Sequence, residues 1–428
     1  MSAAAQAKPV FDARAHFLEG ARAAQAALPE GTGGLTELRA AGLAALETAT
    51  WPTPKTESWK YSRLTKLLAP ALLAPAAFEE AAVEDDGLAA ALGAVHLPFF
   101  GGRLVSSPAL PEGVTLTALS ASSAPAPSGA LDAFRALNAA LAPEAYVLEV
   151  GEGIDVALPL LLVCLAGSSA AGAGNFARLT VRLHPHSRLR LVERQLGEAE
   201  AFHSLVLDVE LGTGAQLSLS RLGLAGGEGR WLSQVRGTIG DNARFELLQA
   251  QGGSAFRRHE IALDLRGPGA EAAVLGASLT DGASHLDTQM AINHCAPQGT
   301  SRQTFRALAA GTSKTSLNGR IHIEPGAQKT DGSFQSRNLL LSRQAELNAK
   351  PELEIYADDV VCAHGATIGE LDSKAVFYLR SRGLSEQAAR GALSYAHLAE
   401  VLDGVASEPL REYLADHFRA AFHTAFSA

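Results

Sequence analysis

Cys362-Ala363-His364 sets a thiol and an imidazole two residues apart. On a β-strand, side chains alternate with period two, so both groups lie on one side. Thiolate and imidazole are soft and borderline ligands suited to iron and iron–sulfur chemistry. Two ligands do not close such a site, which usually takes four. The pair therefore reads as a half-site for a shared or transient centre, completed by a second chain. The competing reading is a buried cysteine packed as a small hydrophobe beside a turn histidine. A second set, His285, Asp287, His294 and Cys295, offers ligand types. His285 and Asp287 share a face, whereas His294 and Cys295 point apart, so hydrogen-bonded polar residues near a turn are the better expectation. Asp358 and Asp359 could support acid–base work, but no third group joins them, and an exposed turn is expected. Gly311-Thr312-Ser313-Lys314-Thr315 lacks the Gly-Lys-[Ser/Thr] ending of a phosphate cradle and reads as a turn. No Gly-x-Ser-x-Gly elbow and no His-Glu-x-x-His helix occurs.

The elements that must carry these residues show a repeat. His184-Pro185-His186-Ser187 followed by Arg188-Leu189-Arg190-Leu191 is echoed from Gly212, Gly240 and Gly267, with weaker copies at Pro297-Gln298-Gly299-Thr300 and Glu324-Pro325-Gly326-Ala327. The small fourth residue falls at 187, 215, 243, 270, 300 and 327, giving gaps of 28, 28, 27, 30 and 27. A turn and an alternating strand, repeated without intervening helices, fit a parallel β-solenoid. Gly and Ala recur because each corner lies over the last. A β-sandwich, the second choice, has no reason to keep a fixed period. The solenoid core is expected over 155–383.

Around it, 1–64 reads as a helical region. Phe11, Ala15, Phe17, Leu18 and Ala21 form one stripe and Leu35, Leu38, Leu43 and Leu46 another, before Pro52 and Pro54 end the pattern. Residues 65–154 are rich in Ala, Pro and Ser and read as a linker with short strands, with a surface loop at 120–129. Residues 384–428 are helical in character, with Ser385 as N-cap. Leu393, Ala396, Leu398, Val401 and Leu402 make one apolar face. Leu410, Tyr413, Leu414, His417, Phe418, Phe422 and Phe426 make another. That face either docks on the chain's own solenoid or awaits a partner.

At 428 residues, the chain exceeds one ordinary compact core. Its 36 basic and 45 acidic residues, net -9, argue against nucleic acid as a partner. Three scattered cysteines, Cys164, Cys295 and Cys362, suggest no disulfide framework and a reducing compartment. The first residues do not form a secretory signal, and no run of about 18 apolar residues appears. A soluble cytoplasmic protein is expected.

Several runs closely resemble the SufB/SufD family of iron–sulfur cluster assembly proteins. They are Gly319–Thr330, Gln335–Ser342, Lys350–Ile355, Asp358–Thr367 and Phe377–Gly383, together with Lys55-Thr56-Glu57-Ser58-Trp59-Lys60-Tyr61. The resemblance is strong from about residue 230 onward. His364-Gly365-Ala366-Thr367 resembles the SufD branch, because SufB-like chains usually carry His-Glu-Ala there. The resemblance implies a mainly β fold: a right-handed parallel β-helix with N- and C-terminal α-helical regions. It implies a non-enzymatic subunit that pairs with SufB through the β-helix and binds the ATPase SufC through C-terminal helices, with Leu410, Tyr413, Leu414, Phe418 and Phe422 as the contact face. His364 would serve as ligand or iron-handling residue at the SufB interface, with Cys362 as a less certain neighbour. No cofactor would be held stably by the chain alone. Iron or an iron–sulfur cluster would be shared transiently with SufB. In isolation the chain could pair with itself. The alternatives are a SufB-type scaffold and a polysaccharide-acting β-helix enzyme.

Overall fold

The computed structural model describes residues 13–53, 55–62, 74–75, 87–122, 131–165, 173–197, 200–224 and 226–425. From Leu160 onward successive strands alternate between two ten-stranded sheets, so that strands along the stack pair with the strand two before and the strand two after. The pairing is parallel and in register along the stack: Arg188 lies beside Gln216, Gln216 beside Arg244, and Arg244 beside Glu271. This is the expected mainly β solenoid. Inward positions carry Leu, Val, Ile and Phe, such as Leu189, Leu217, Phe245 and Val274, which meet the opposite sheet in one continuous core.

The corners explain the repeat. His186, Asn242 and Gln298 adopt positive φ (59°, 52° and 62°), and so do Gly214 and Gly269. Each donates its backbone N–H to the carbonyl of the next turn: His186 to Thr213, Gly214 to Asp241, Asn242 to Pro268, Gly269 to Pro297 and Gln298 to Gln328. Lys329, also at positive φ, continues the ladder to Asp359. The stacked small residues are therefore 187, 215, 243, 270, 299 and 330. Two expected positions are corrected: Gly299 and Thr330 take the places assigned to Thr300 and Ala327. Thr300 already pairs with Glu271 in the strand. Ala327 closes a turn onto Glu324, and three further residues follow before the next strand begins at Asp331.

The solenoid begins before residue 155. Val95–Phe100 pairs in parallel with Leu160–Leu165, and Tyr146–Val150 pairs with the strand Ala173–Leu183. Its last strand is Val361–Glu370, and a helix follows within the range expected to be solenoid. The helix starts because the Asp372 side chain caps it, accepting from the Lys374 backbone N–H.

Among the described residues the α-helices are α1 (Ala13–Gln25), α2 (Gly33–Thr48), α3 (Leu88–Leu92), α4 (Ala133–Leu141), α5 (Ser373–Ser381), α6 (Glu386–Leu402) and α7 (Glu408–Ala425). Phe17, Trp51, Trp59 and Phe134 from the N-terminal segments pack on Phe176, Phe202, Leu232 and Phe256 of the first sheet. The Lys55–Tyr61 segment is the clasp of this packing. Trp59 stacks on Phe134 at 5.3 Å and lies 3.9 Å beneath the Arg258 guanidinium, which also donates to the Ser58 carbonyl at 2.9 Å. Helices α6 and α7 cover the outer side of the second sheet. Much of 65–86 and 123–130 lies outside the described residues, and with it part of the expected linker and surface loop.

Candidate functional site

Among the described residues, the strand Val361–Glu370 pairs on one edge only, with Asp331–Leu340. Glu346–Ile355 is likewise the last strand of the other sheet. Both leave an edge of backbone N–H and C=O groups without a strand partner, a template for pairing with another chain.

Cys362 and His364 sit on this last strand. Cys362 lies in register with Gly332, and His364 with Phe334. Phe334 belongs to the solenoid core, so both side chains are on the lumen side of the final rung, as period-two alternation required. A Cβ built on Gly332 would lie 3.6 Å from Cys362 Sγ, an ordinary contact distance, so the thiol packs directly over that position. Cys362 is half-buried against the core, and that burial raises its thiol pKa above the ordinary value, opposed by a backbone hydrogen bond from Gly332. At neutral pH it is a thiol, and binding a metal would cost it a proton. His364 is exposed. Among the described residues, no group of three or more His, Cys, Asp or Glu side chains converges as a metal site. The last two strands and the helix that follows leave Ile355, Tyr356, Val361, Ile368, Phe377 and Tyr378 exposed.

The second candidate set does not converge. His285 Nε2 hydrogen-bonds Ser62 Oγ at 3.0 Å, Asp287 pairs with Arg258, and His294 Nε2 meets Ser301 Oγ at 2.9 Å. Burial pushes His294 down to about 4 and the half-buried Cys295 thiol up to about 11, with Glu324 and Asp264 adding to the latter. Asp358 and Asp359 are exposed beyond the last corner. Gly311 takes a positive φ in a turn, and Lys314 pairs with Glu346 of the next rung.

The C-terminal face differs from its expected role. Leu410, Leu414, Phe418 and Phe422 are buried against the chain's own second sheet, in one cluster with Val192, Leu222, Leu248, Leu279 and Leu308. Tyr413 is half-buried, its ring 5.7 Å from the Arg194 guanidinium. These residues hold α6 and α7 on the solenoid, because outward leucines of the second sheet need the same cover that the helix face needs. Phe426 lies outside the described residues. Beyond the last strand, Phe377 and Tyr378, 72% and 56% exposed, are aromatic residues left in water on α5, which has no buried residue. The sequence signalled them only as part of a motif. A helix whose aromatic residues face solvent shows no apolar stripe to detect.

The comparisons with known proteins agree with this fold. The family profile described as "SUF system FeS cluster assembly, SufBD core domain" matches residues 165–397. The chain is 30% identical to the iron-sulfur cluster assembly protein SufD of Escherichia coli (strain K12) over 370 residues, covering 84% of this chain and 87% of that one. It is 28% identical to the chloroplastic protein ABCI7 of Arabidopsis thaliana over 302 residues, covering 67% and 62%. An iron-sulfur cluster assembly SufBD family protein of Synechocystis is 32% identical over 206 residues, covering 48% and 45%. With a solenoid that carries the matched segment and a relative aligned along most of both chains, this protein belongs to the SufBD family of the SUF iron–sulfur cluster assembly system and is SufD-like within it.

Proposed function

We propose that this chain is a non-catalytic subunit of a cytoplasmic SUF assembly complex, pairing with a SufB-type solenoid through its last rung and docking a SufC-type ATPase through its C-terminal helices. The observation that carries the reading is the bare final rung: two unpaired strand edges, exposed apolar residues on them, and Cys362 and His364 together on the lumen side. Two ligands there would complete a transient iron or iron–sulfur site only with ligands from the partner. In that site His364, the exposed group, is the metal-handling residue. Cys362 is its half-buried neighbour. The ATPase contact is carried by α5 and the outward faces of α6 and α7, since the apolar face of α7 is already spent on the solenoid.

The test is the iron and sulfide content of the anaerobically purified three-subunit complex. His364→Ala should leave the complex assembled and lower its cluster content several-fold, and Cys362→Ser should lower it less. Parent-level clusters in His364→Ala would refute the site. Loss of the complex in that variant would make His364 an interface residue instead. Phe377→Ala with Tyr378→Ala should weaken ATPase capture while the SufB-type partner stays bound.

A further inference from the structure

The last rung has two open edges, and they are built differently. In a parallel pair the N–H and C=O of one residue point to the same neighbouring strand, and those of the next residue point away from it. The Glu346 N–H donates to the Ser313 carbonyl and the Tyr356 N–H to the Ile323 carbonyl, so the even-numbered residues of Glu346–Ile355 face the preceding rung. Leu347, Ala349, Pro351, Leu353 and Ile355 therefore face the open edge. The Val361 N–H donates to the Thr330 carbonyl, which turns the odd-numbered residues of Val361–Glu370 to the preceding rung. Cys362, His364, Ala366, Ile368 and Glu370 face the open edge there.

The first edge has a gap at its centre. Pro351 has no N–H, and it holds a position whose N–H an added strand would need. The outer face of the same strand carries Glu346, Asn348, Lys350, Glu352 and Glu354, four charges in five places. Lys350 is held between Glu57 at 2.8 Å and Glu352 at 2.5 Å. Proline and charge on an edge strand keep other chains from pairing with it. The second edge has neither guard. Each of its five open-edge residues supplies both an N–H and a C=O. Its outer face is Val361, Ala363, Gly365, Thr367 and Gly369, uncharged and mostly small. A long edge without guards is a template that another strand completes.

We infer that the partner's strand is added to Val361–Glu370, and that Glu346–Ile355 is a guarded edge that takes no continuous backbone pairing. The inference rests on the reading of the last rung as the SufB-type interface, and it says which of the two edges makes the ladder. Cys362 and His364 then lie on the paired strand itself, with their own N–H groups in the ladder. The partner's strand is thereby fixed about 4.8 Å from the strand that carries both candidate ligands. At the guarded edge the partner is met by side chains.

Amide hydrogen exchange, read residue by residue, separates the edges. In the assembled three-subunit complex, against the isolated monomer, the amides of His364, Ala366 and Ile368 should slow by about tenfold or more, and those of Ala349 and Leu353 should keep their isolated rates. Two matched variants test the same point through capture of the SufB-type partner. Ala349→Pro and Ala366→Pro each remove one open-edge N–H and leave the bonds to the preceding rung in place. Ala366→Pro should weaken capture about tenfold, the worth of a lost interface hydrogen bond, and Ala349→Pro should leave it at the parent value. If either variant melts below the parent, exchange in the parent decides. Equal slowing at both edges, or equal loss of capture in two folded variants, would overturn the inference while the interface stands. A parent chain that captures no SufB-type partner would remove the interface and the inference together.

Discussion

Thr300–Ala309 and Val361–Glu370 lie in the same sheet, two rungs apart and equally long, yet seven residues of the first are buried and none of the second. Their sequences do not explain this, since both alternate and both carry small and polar residues. Position does. The first strand has a neighbour on either side and α6 on its outer face, where the wholly buried Arg306 side chain meets Glu400 at 2.6 Å. The second has a neighbour on one side only. A stacked fold buries each rung with the next, so its last rung is always the one that needs a partner or a cap. Here the N-terminal and C-terminal helices cap the two sheet faces and leave that rung bare.

The strongest contrast between the two regions should appear in acid. His203, His259 and His294 are buried along the closed part, and burial lowers each, to about 3 for His203 and about 4 for His294. Their folded forms stay neutral while the unfolded chain takes up a proton below its ordinary histidine pKa. Stability is therefore complete above about pH 6.5 and falls as pH drops toward the folded values, by about 1.4 kcal/mol per pH unit for each group. Denaturation midpoints between pH 7 and 4.5 should show this steep loss. His294→Gln should remove one of the three groups and lessen the slope by that group's share, and an unchanged slope in this variant would dissolve the contrast.

Next come the aromatic residues of the two regions. Phe418, 1% exposed in the cluster under α7, should cost about 3–5 kcal/mol when changed to Ala. Phe377, 72% exposed on α5, should change stability by less than about 0.5 kcal/mol under the same substitution. The second variant should instead weaken ATPase capture. Denaturant titration of each chain alone, with pull-down of the ATPase beside it, separates the two roles. A large stability loss for Phe377→Ala would mean that α5 is packed in solution.

These regions were unequally legible from sequence. The solenoid was readable because its corners reuse one conformation, and the small residues at 187, 215, 243 and 270 mark it. The register slipped at the last two corners, where the small residue chosen, Thr300 or Ala327, stands one residue after or three residues before the one that follows the positive-φ position, the final loop being longer. The half-site pair was readable because alternation alone puts Cys362 and His364 on one side. The buried charges inside the solenoid were not: Glu193, Arg221 and Arg257 look like surface charges, and period two says which residues share a side but not which side is inward. The apolar face of α7 was readable as apolar, but its mate was not. Leu222, Leu248 and Leu308 lie far away in the chain and cover it only once the sheet is built.

The smallest expected effect is the sharpest test of the bare rung, because it compares one atom in two places. A Cβ built on Gly319 would lie 2.2 Å from the Phe334 ring, within the stack. Gly319→Ala must displace that ring or the strand and should cost about 1–3 kcal/mol. A Cβ on Gly365 meets nothing within 4 Å, although Gly365 is also a strand residue of the solenoid and follows His364 directly. Gly365→Ala should therefore leave the isolated chain unchanged or slightly more stable, because it restricts the unfolded chain without a clash. In the assembled complex the same methyl would stand on the outer face of the paired strand, opposite the imidazole. The expected result is an unchanged melting temperature for the chain alone and weaker capture of the SufB-type partner. If Gly365→Ala destabilises the isolated chain as Gly319→Ala does, something already covers the last rung, and the open edge is not the partner surface.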